Sequence, residues 1–459
     1  MPNWFARMGC SLIAIPCLLI VPLAASAQSA PLAITGTLVT PQEIVPNGTV
    51  LIQNGKILGA GAQVELPQGT KTVRTDGIIA PGLIDLHNHL TWNVFPRWKP
   101  IEEFGNRYEW QQKPVYKVLM NVPHAELVSE GLECEMERYA EVKAISEGET
   151  SVTGSLAAAC DQGLARNLDY DAELGDGLGE IIYSVFPLTM SQYDVVRAIS
   201  VLNGKPRGSL LIHVAEGSPH DASAAREFSE VEERGLLKPG VSFIHGVALT
   251  PQNFAAMAQA GVGFIWSPRS NIELYGDTAN VAAAKAANVV MALAPDWSPT
   301  GSDGLLGELN YASVWNQTQP TPPFTERDLV MMATSNAASL VGLGDHTGSL
   351  APNHAADLIV IRDTGKARNK DAYWSLTHDT PKDVELVIIG GVGTYGDPQL
   401  MRQVSDSPAE VLKVCGVEKS ISFSSEKQLH GSFADTESKL EDALRETGRR
   451  LAPLSECGD

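Results

Sequence analysis

The chain has 459 residues, 44% of them hydrophobic, with a formal net charge of −20. That length is ample for a large buried core in one or more domains, and the hydrophobic content is that of an ordinary globular chain. So acidic a chain argues against a nucleic-acid binder, and solubility is the plainer reading of its charge.

In chain order, Arg7 is followed by the apolar run Ser11–Ala24 and by Ala25-Ser26-Ala27, the pattern of a secretion signal cleaved after Ala27. The run is too short for a stable membrane anchor. The expected destination is a periplasm or the extracellular medium. Four cysteines, Cys134, Cys160, Cys415 and Cys457, follow the cleavage point. No C-x-x-C spacing marks them as a metal site, and an oxidising compartment suits two disulfides. Proximity in sequence pairs Cys134 with Cys160 and Cys415 with Cys457.

Residues 28–80 alternate apolar and polar positions around the hairpin signal Asn54-Gly55. From residue 81 to 346 short apolar runs alternate with helical stretches. The runs are Gly82–His87, Thr150–Gly154, Gly163–Asp169, Ile181–Leu188, Ser209–Ala215, Val241–His245, Val262–Ser267 and Val289–Asp296. Eight such units predict an α/β fold, a TIM-type (β/α)8 barrel. Between them, Ala125–Glu147 reads as one long helix, Ser191–Leu202 as another, and Thr250 caps a helix over Pro251–Ala260. Residues 347–402 read as strands again, rejoining residues 28–80 in a small β-sandwich. Residues 403–459 form a polar extension with one amphipathic helix near Asp435–Leu451.

The chemistry sits at the ends of the apolar runs. In PGLIDLHNHL, His87 and His89 are two apart, and on a strand both face one side. Alone, such a pair is also met on ordinary surfaces. In SLLIHVAEGS, His213 closes a run and Glu216 follows three residues on; His245 closes VSFIH; Asp296 ends VVMALAPD. An N-cap role is the simpler account of Asp296 taken singly. Together these residues fall on the face of a barrel where active sites are built. His124, His220, His346, His354, His378 and His430 have no such placement and read as structural or exposed.

With these motifs in hand, the chain resembles the amidohydrolase superfamily from about residue 31 to 400. It is most similar to the branch containing cytosine deaminase, adenosine deaminase and the triazine and chlorohydrolase enzymes. PGLIDLHNH, HVAE, IHGVALT, SPRSNIELYG, APDWSPTGS and GSLAPNHAADLIVI carry the resemblance. It implies that His87, His89, His213 and Asp296 hold one divalent metal, that Glu216 shuttles a proton and that His245 polarises the substrate. Zinc suits three imidazoles and a carboxylate, with iron(II) and manganese(II) left open. IIYSVFPL, the fourth run, lacks the lysine that binuclear relatives carboxylate, and Lys143 lies in the helix before the second run, so one metal is expected.

The activity implied is hydrolysis of a C–N bond in a small amide, cyclic amide or heterocyclic amine. Esterase, lactonase or dipeptidase-like action on the same site is the alternative, and a non-catalytic binding protein on a decayed barrel is the reading from another class. Trp92, Arg97, Trp98, Tyr108 and Trp297 are candidates for substrate selection, or for packing loops onto the barrel. Assembly into homo-oligomers is left open.

Overall fold

The computed structural model describes residues 30–155, 164–170, 174–175, 177–184, 189–405, 407–423 and 432–457. Eight short strands lie where the apolar runs were read. They are β1 (Leu83–Ile84), β2 (Glu149–Val152), β3 (Arg166–Asn167), β4 (Ile181–Ser184), β5 (Ser209–Val214), β6 (Val241–His245), β7 (Gly263–Trp266) and β8 (Met291–Leu293). β1 to β3 form one parallel sheet and β4 to β8 another. A parallel bridge between Asn88 and Asp296 joins the first strand to the last just beyond their ends. There the Asp296 N–H donates to the His87 carbonyl at 3.0 Å, and the His89 N–H donates to the Asp296 carbonyl at 3.2 Å. Gly163 and residues 185–188 of the expected third and fourth runs lie outside the described residues.

Alternation along the strands separates two cores. Ile84, Leu211, Ile244, Ile265 and Ala292 share one cluster, the barrel interior. Their neighbours Leu210, Ile212, Phe243, Phe264, Trp266 and Leu293 belong to the cluster beneath the helices. The expected helix Ala125–Glu147 is in fact two, Val122–Ser129 and Glu133–Ser146. Gly131, at φ 75°, turns the chain in the left-handed conformation that ends helices. Ser191 and Thr250 cap Gln192–Leu202 and Pro251–Ala260 with reciprocal side-chain and backbone bonds. Among the described residues, no helix is long and apolar enough to cross a membrane.

The strands outside the barrel form one nine-stranded sheet. Its order is Lys56–Gly61, Ile44–Gln53, Leu32–Val39, Lys71–Pro81, Leu358–Ile361, Val384–Ile389, Val392–Gly396, Val417–Ile421 and Glu410–Val414. The sheet is thus one continuous ladder, and its last two strands come from the segment read as a polar extension. Period-two patterning gives it two buried faces. Ile34, Ile79, Leu358, Val360 and Leu386 gather in a cluster of their own, whereas Ile78, Ala80, Ile359, Ile361 and Val387 join the cluster under the barrel helices.

Phe433–Glu446 then packs on Glu133–Ser146, with Phe433 stacked on Tyr139 at 5.8 Å. Cys415 and Cys457 are joined as a disulfide. Cys134 is also disulfide-bonded, and its expected partner Cys160 lies outside the described residues.

One buried ion pair couples sheet to barrel. Arg166 of β3 donates through Nε and Nη2 to the two oxygens of Asp357 at 2.8 and 2.9 Å. Asp357 also accepts from the Gly390 N–H at 2.8 Å. Removing the Asp357 carboxylate takes from the buried Arg166 guanidinium its bidentate charged acceptor. We therefore expect Asp357→Ala to cost about 3–5 kcal/mol of stability, read as a lowered denaturation midpoint; a loss under about 1 kcal/mol would show that the pair contributes as little as an exposed one.

Candidate active site

β1 ends at Ile84, so His87 and His89 stand beyond the strand, and strand alternation is not what brings them together. A polar bend does so instead. The Asp85 carboxylate accepts from the His87 N–H at 2.9 Å and from Asn88 Nδ2 at 2.6 Å. Asn93 Nδ2 donates to Asn88 Oδ1 at 2.8 Å, and its own Oδ1 accepts from the Ser298 N–H at 2.8 Å, tying this bend to the loop after β8. Tyr183 of β4 donates to the Asn88 carbonyl at 2.9 Å.

Four donor groups converge at this seam. His87 Nε2 lies 3.1 Å from His213 Nε2 and 3.2 Å from Asp296 Oδ1, and His89 Nε2 lies 3.3 Å from the same oxygen. Donors placed tetrahedrally about 2.1 Å from a common cation sit about 3.4 Å apart, so this set fits one zinc-sized ion. The His245 donor lies within 4.8 Å of those of His87 and His213, close enough that a cation could also take it up.

Three of the imidazoles are oriented from behind. His87 Nδ1 meets Ser267 Oγ at 2.8 Å, His213 Nδ1 meets the Ser184 carbonyl at 3.3 Å, and His245 Nδ1 meets Asn271 Oδ1 at 2.8 Å. These contacts leave the Nε2 atoms of His87, His213 and His245 aimed at the shared centre. Ser270 donates to Asp296 Oδ2. Burial pushes the His87 imidazole down to about 4 and that of His213 well below its usual range. Burial opposes the charge of Asp296, but the flanking imidazoles of His87 and His89 hold its carboxyl well below the usual range. Neutral imidazoles beside an ionised carboxylate are the forms a divalent cation takes.

Three non-glycine residues here are left-handed: Ala215 at φ 56°, His245 at φ 68° and Asp296 at φ 70°. Each costs of order 1 kcal/mol and persists only where surrounding contacts impose it. At His245 the gain is visible. Alternation would send it outward with Phe243, yet its ring lies 4.7 Å from that of His87.

Glu216 lies beside this centre. Tyr275 donates to its Oε1 at 2.7 Å, Arg107 Nη1 stands 3.4 Å from Oε2, and His245 Nε2 stands 3.7 Å from Oε2. Arg107 is fully buried and is anchored by Glu227 at 2.9 Å. Sequence reading assigned no role to Arg107, Ser267, Ser270, Asn271 or Tyr275. A signal existed for the last four. They fall at helical spacing across SPRSNIELY, and the helix Pro268–Tyr275 turns them toward the site.

A cavity of about 160 Å³ opens on these groups. Its walls are Trp92, Trp110, Tyr116 and Trp297, with Gln111 among the lining residues. Of the loop candidates, Trp92 and Trp297 reach the cavity. Trp98 packs behind it against Trp110 and Tyr116, Tyr108 donates to Glu227 at 3.2 Å, and Arg97 is held by Glu456 at 2.7 Å. His124 is structural in a way that touches the cavity, stacking on Trp92 at 4.0 Å. His430 lies outside the described residues. Lys143 is buried against Asp303 at 2.7 Å, and the described β4 holds no lysine.

The model of the amidohydrolase family matches residues 209–392. A 5-methylthioadenosine/S-adenosylhomocysteine deaminase from Symbiobacterium thermophilum is 25% identical over 439 residues, covering 83% of this chain and 99% of the relative. An adenosine deaminase from Xanthomonas campestris, solved with bound zinc, superposes with a TM-score of 0.67 at 17% identity, over 83% of this chain and 95% of its own. Atrazine chlorohydrolase from Arthrobacter aurescens TC1, complexed with zinc, gives 0.60 at 18% identity, over 79% and 94%.

Ser267→Ala should weaken the affinity for a divalent cation about 10–100-fold by freeing the His87 ring. Chelator competition measures this, and an unchanged affinity would show that the hydroxyl does not orient the ligand.

Proposed function

We propose that this chain, a member of the amidohydrolase superfamily, hydrolyses a C–N bond of a small planar substrate, with His87, His89, His213 and Asp296 holding one zinc ion. The observation that carries this reading is the convergence of three imidazoles and one carboxylate at separations suited to a single cation. A divalent cation bound there supplies Lewis acidity, activating water and polarising the group under attack.

The protein's own residues supply the remainder. Asp296 is the base that accepts the proton of the attacking water. Glu216 carries a proton to the departing nitrogen as a general acid. It is held ready by Tyr275 on one oxygen and Arg107 near the other. His245, fixed by Asn271, stands beside the attacked group and polarises it. The aromatic lining of the cavity suits a flat ring, which favours deamination of a heterocycle over hydrolysis of an extended ester or peptide. The deaminases among the similar proteins agree with that choice. A complete donor set with Glu216 beside it argues against a decayed, non-catalytic barrel.

Export belongs to the same proposal. The leader through Ala27 supports it, and the disulfide-bonded cysteines suit an oxidising compartment.

Zinc-loaded protein offered purine and pyrimidine amines, cyclic amides and esters should release ammonia from a ring amine and lose that activity to chelator. Ester cleavage without any ammonia would replace deamination with the esterase reading, and chelator-insensitive turnover would remove the metal from the mechanism. Asp296→Asn should leave less than about a tenth of the rate, and Glu216→Gln should lose about 100-fold or more while keeping its metal. A Glu216→Gln protein that cannot retain metal would make Glu216 a ligand.

A further inference from the structure

The last residues of the chain run beneath the loops that build the site. The Ala452 N–H donates to the Val94 carbonyl at 2.9 Å, Tyr139 donates to the Ala452 carbonyl at 2.5 Å, and Ser455 donates to Glu147 at 2.9 Å. The path then reaches Glu456, which touches two loops and a helix at once. Its carboxylate accepts from Arg97 Nε at 2.7 Å and from Arg269 Nη2 at 2.9 Å, and its N–H donates to Asp303. Asp303 is itself anchored on the buried Lys143.

Each of these contacts lies next to working residues. Arg97 follows Trp92 in the loop after β1 and also donates to the Gly301 carbonyl in the loop after β8. Arg269 sits between Ser267, which orients His87, and the pair Ser270 and Asn271, which hold Asp296 and His245. Asp303 ends the loop that begins at Asp296 and carries Trp297. The next residue after Glu456 is Cys457, disulfide-bonded to Cys415 in the hairpin at the sheet edge.

We propose that Glu456 is a positioning residue of the active site, clamping the loops after β1 and β8 to the helix after β7, and that the Cys415–Cys457 bond keeps it there. Chain ends fray unless tied down, and a crosslink one residue beyond Glu456 restricts that motion. Without the carboxylate, the two guanidinium groups lose the acceptor they share, leaving Arg97 the looser Glu273 contact at 4.0 Å, and the segments that hold Trp92 and the orienting residues of helix Pro268–Tyr275 are free to part. Glu456 is 41% exposed in its side chain, so its ion pairs add little to global stability. Their weight falls on geometry, where misplacement of catalytic groups by about 1 Å costs on the order of 100-fold in rate.

This proposal rests on the metal site proposed above, and its rate measurement alone needs the proposed reaction as well. Glu456→Gln, Arg269→Gln, their combination and Cys415→Ser/Cys457→Ser are compared with the unaltered protein at 25 °C for zinc affinity by chelator competition, for kcat and KM, and for the melting midpoint. Glu456→Gln is expected to lower zinc affinity or kcat about tenfold while moving the midpoint by no more than about 4 °C. The Glu456→Gln/Arg269→Gln combination should cost no more than the worse single change, because both break one contact. The double serine variant should shift in the same direction. Unchanged zinc affinity, kcat and KM in Glu456→Gln would overturn the clamp and leave the tail as packing alone. A normal double serine variant would overturn the part assigned to the disulfide. If the unaltered protein turned over none of the substrates, the proposed reaction would fail, and zinc affinity would still decide the clamp.

Discussion

Asp296 carries its charge where only 3% of the residue is exposed, three residues beyond the last barrel strand. An ionised carboxylate taken out of water must be compensated locally, or it takes up a proton. Here the groups that face it are the imidazoles of His87 and His89, on the bend after β1, and the Ser270 hydroxyl. Three histidines near one centre would repel if protonated, and burial keeps His87 and His213 neutral. The seam between the first and last strands is thus an electrostatic arrangement as much as a structural one. It is nearly complete in the protein alone, and a cation makes it balanced.

Holding that arrangement requires rigidity from outside the barrel strands, which are short. The helix Pro268–Tyr275 supplies much of it, since Ser267, Ser270, Asn271 and Tyr275 each fix a different working residue. One helix turned by one face thereby sets the relative positions of His87, Asp296, His245 and Glu216. The left-handed residues at the ends of β5, β6 and β8 are the local cost of this convergence. They turn side chains in directions that the regular strand would not.

The parts farthest from the site in sequence finish the assembly. Strands from both ends of the chain merge into one sheet whose second face lies on the barrel, and Arg166 and Asp357 join the two across a buried pair. The final residues return under the loops and meet Arg97, Arg269 and Asp303. Long-range closure of this kind leaves the loops around the aromatic cavity tied at both ends.

The sequence by itself determined the eight apolar runs, their alternation with helices and the residues at their ends, because burial of alternate positions and the rarity of histidine and aspartate in apolar runs are local properties. It also marked the caps at Ser191 and Thr250 and the pairing of Cys415 with Cys457. It did not reveal that Gly131 divides a helix, that the segment after residue 402 adds two strands to the sheet, or that His87 and His89 meet on a bend and not on a strand. Only the tertiary structure decided those, along with the contacts of Arg107, Tyr275 and Glu456. Each depends on contacts between residues many tens or hundreds of positions apart, as between Arg97 and Glu456. Such contacts leave no period in the chain, because they are set by how the barrel closes and where the tail returns.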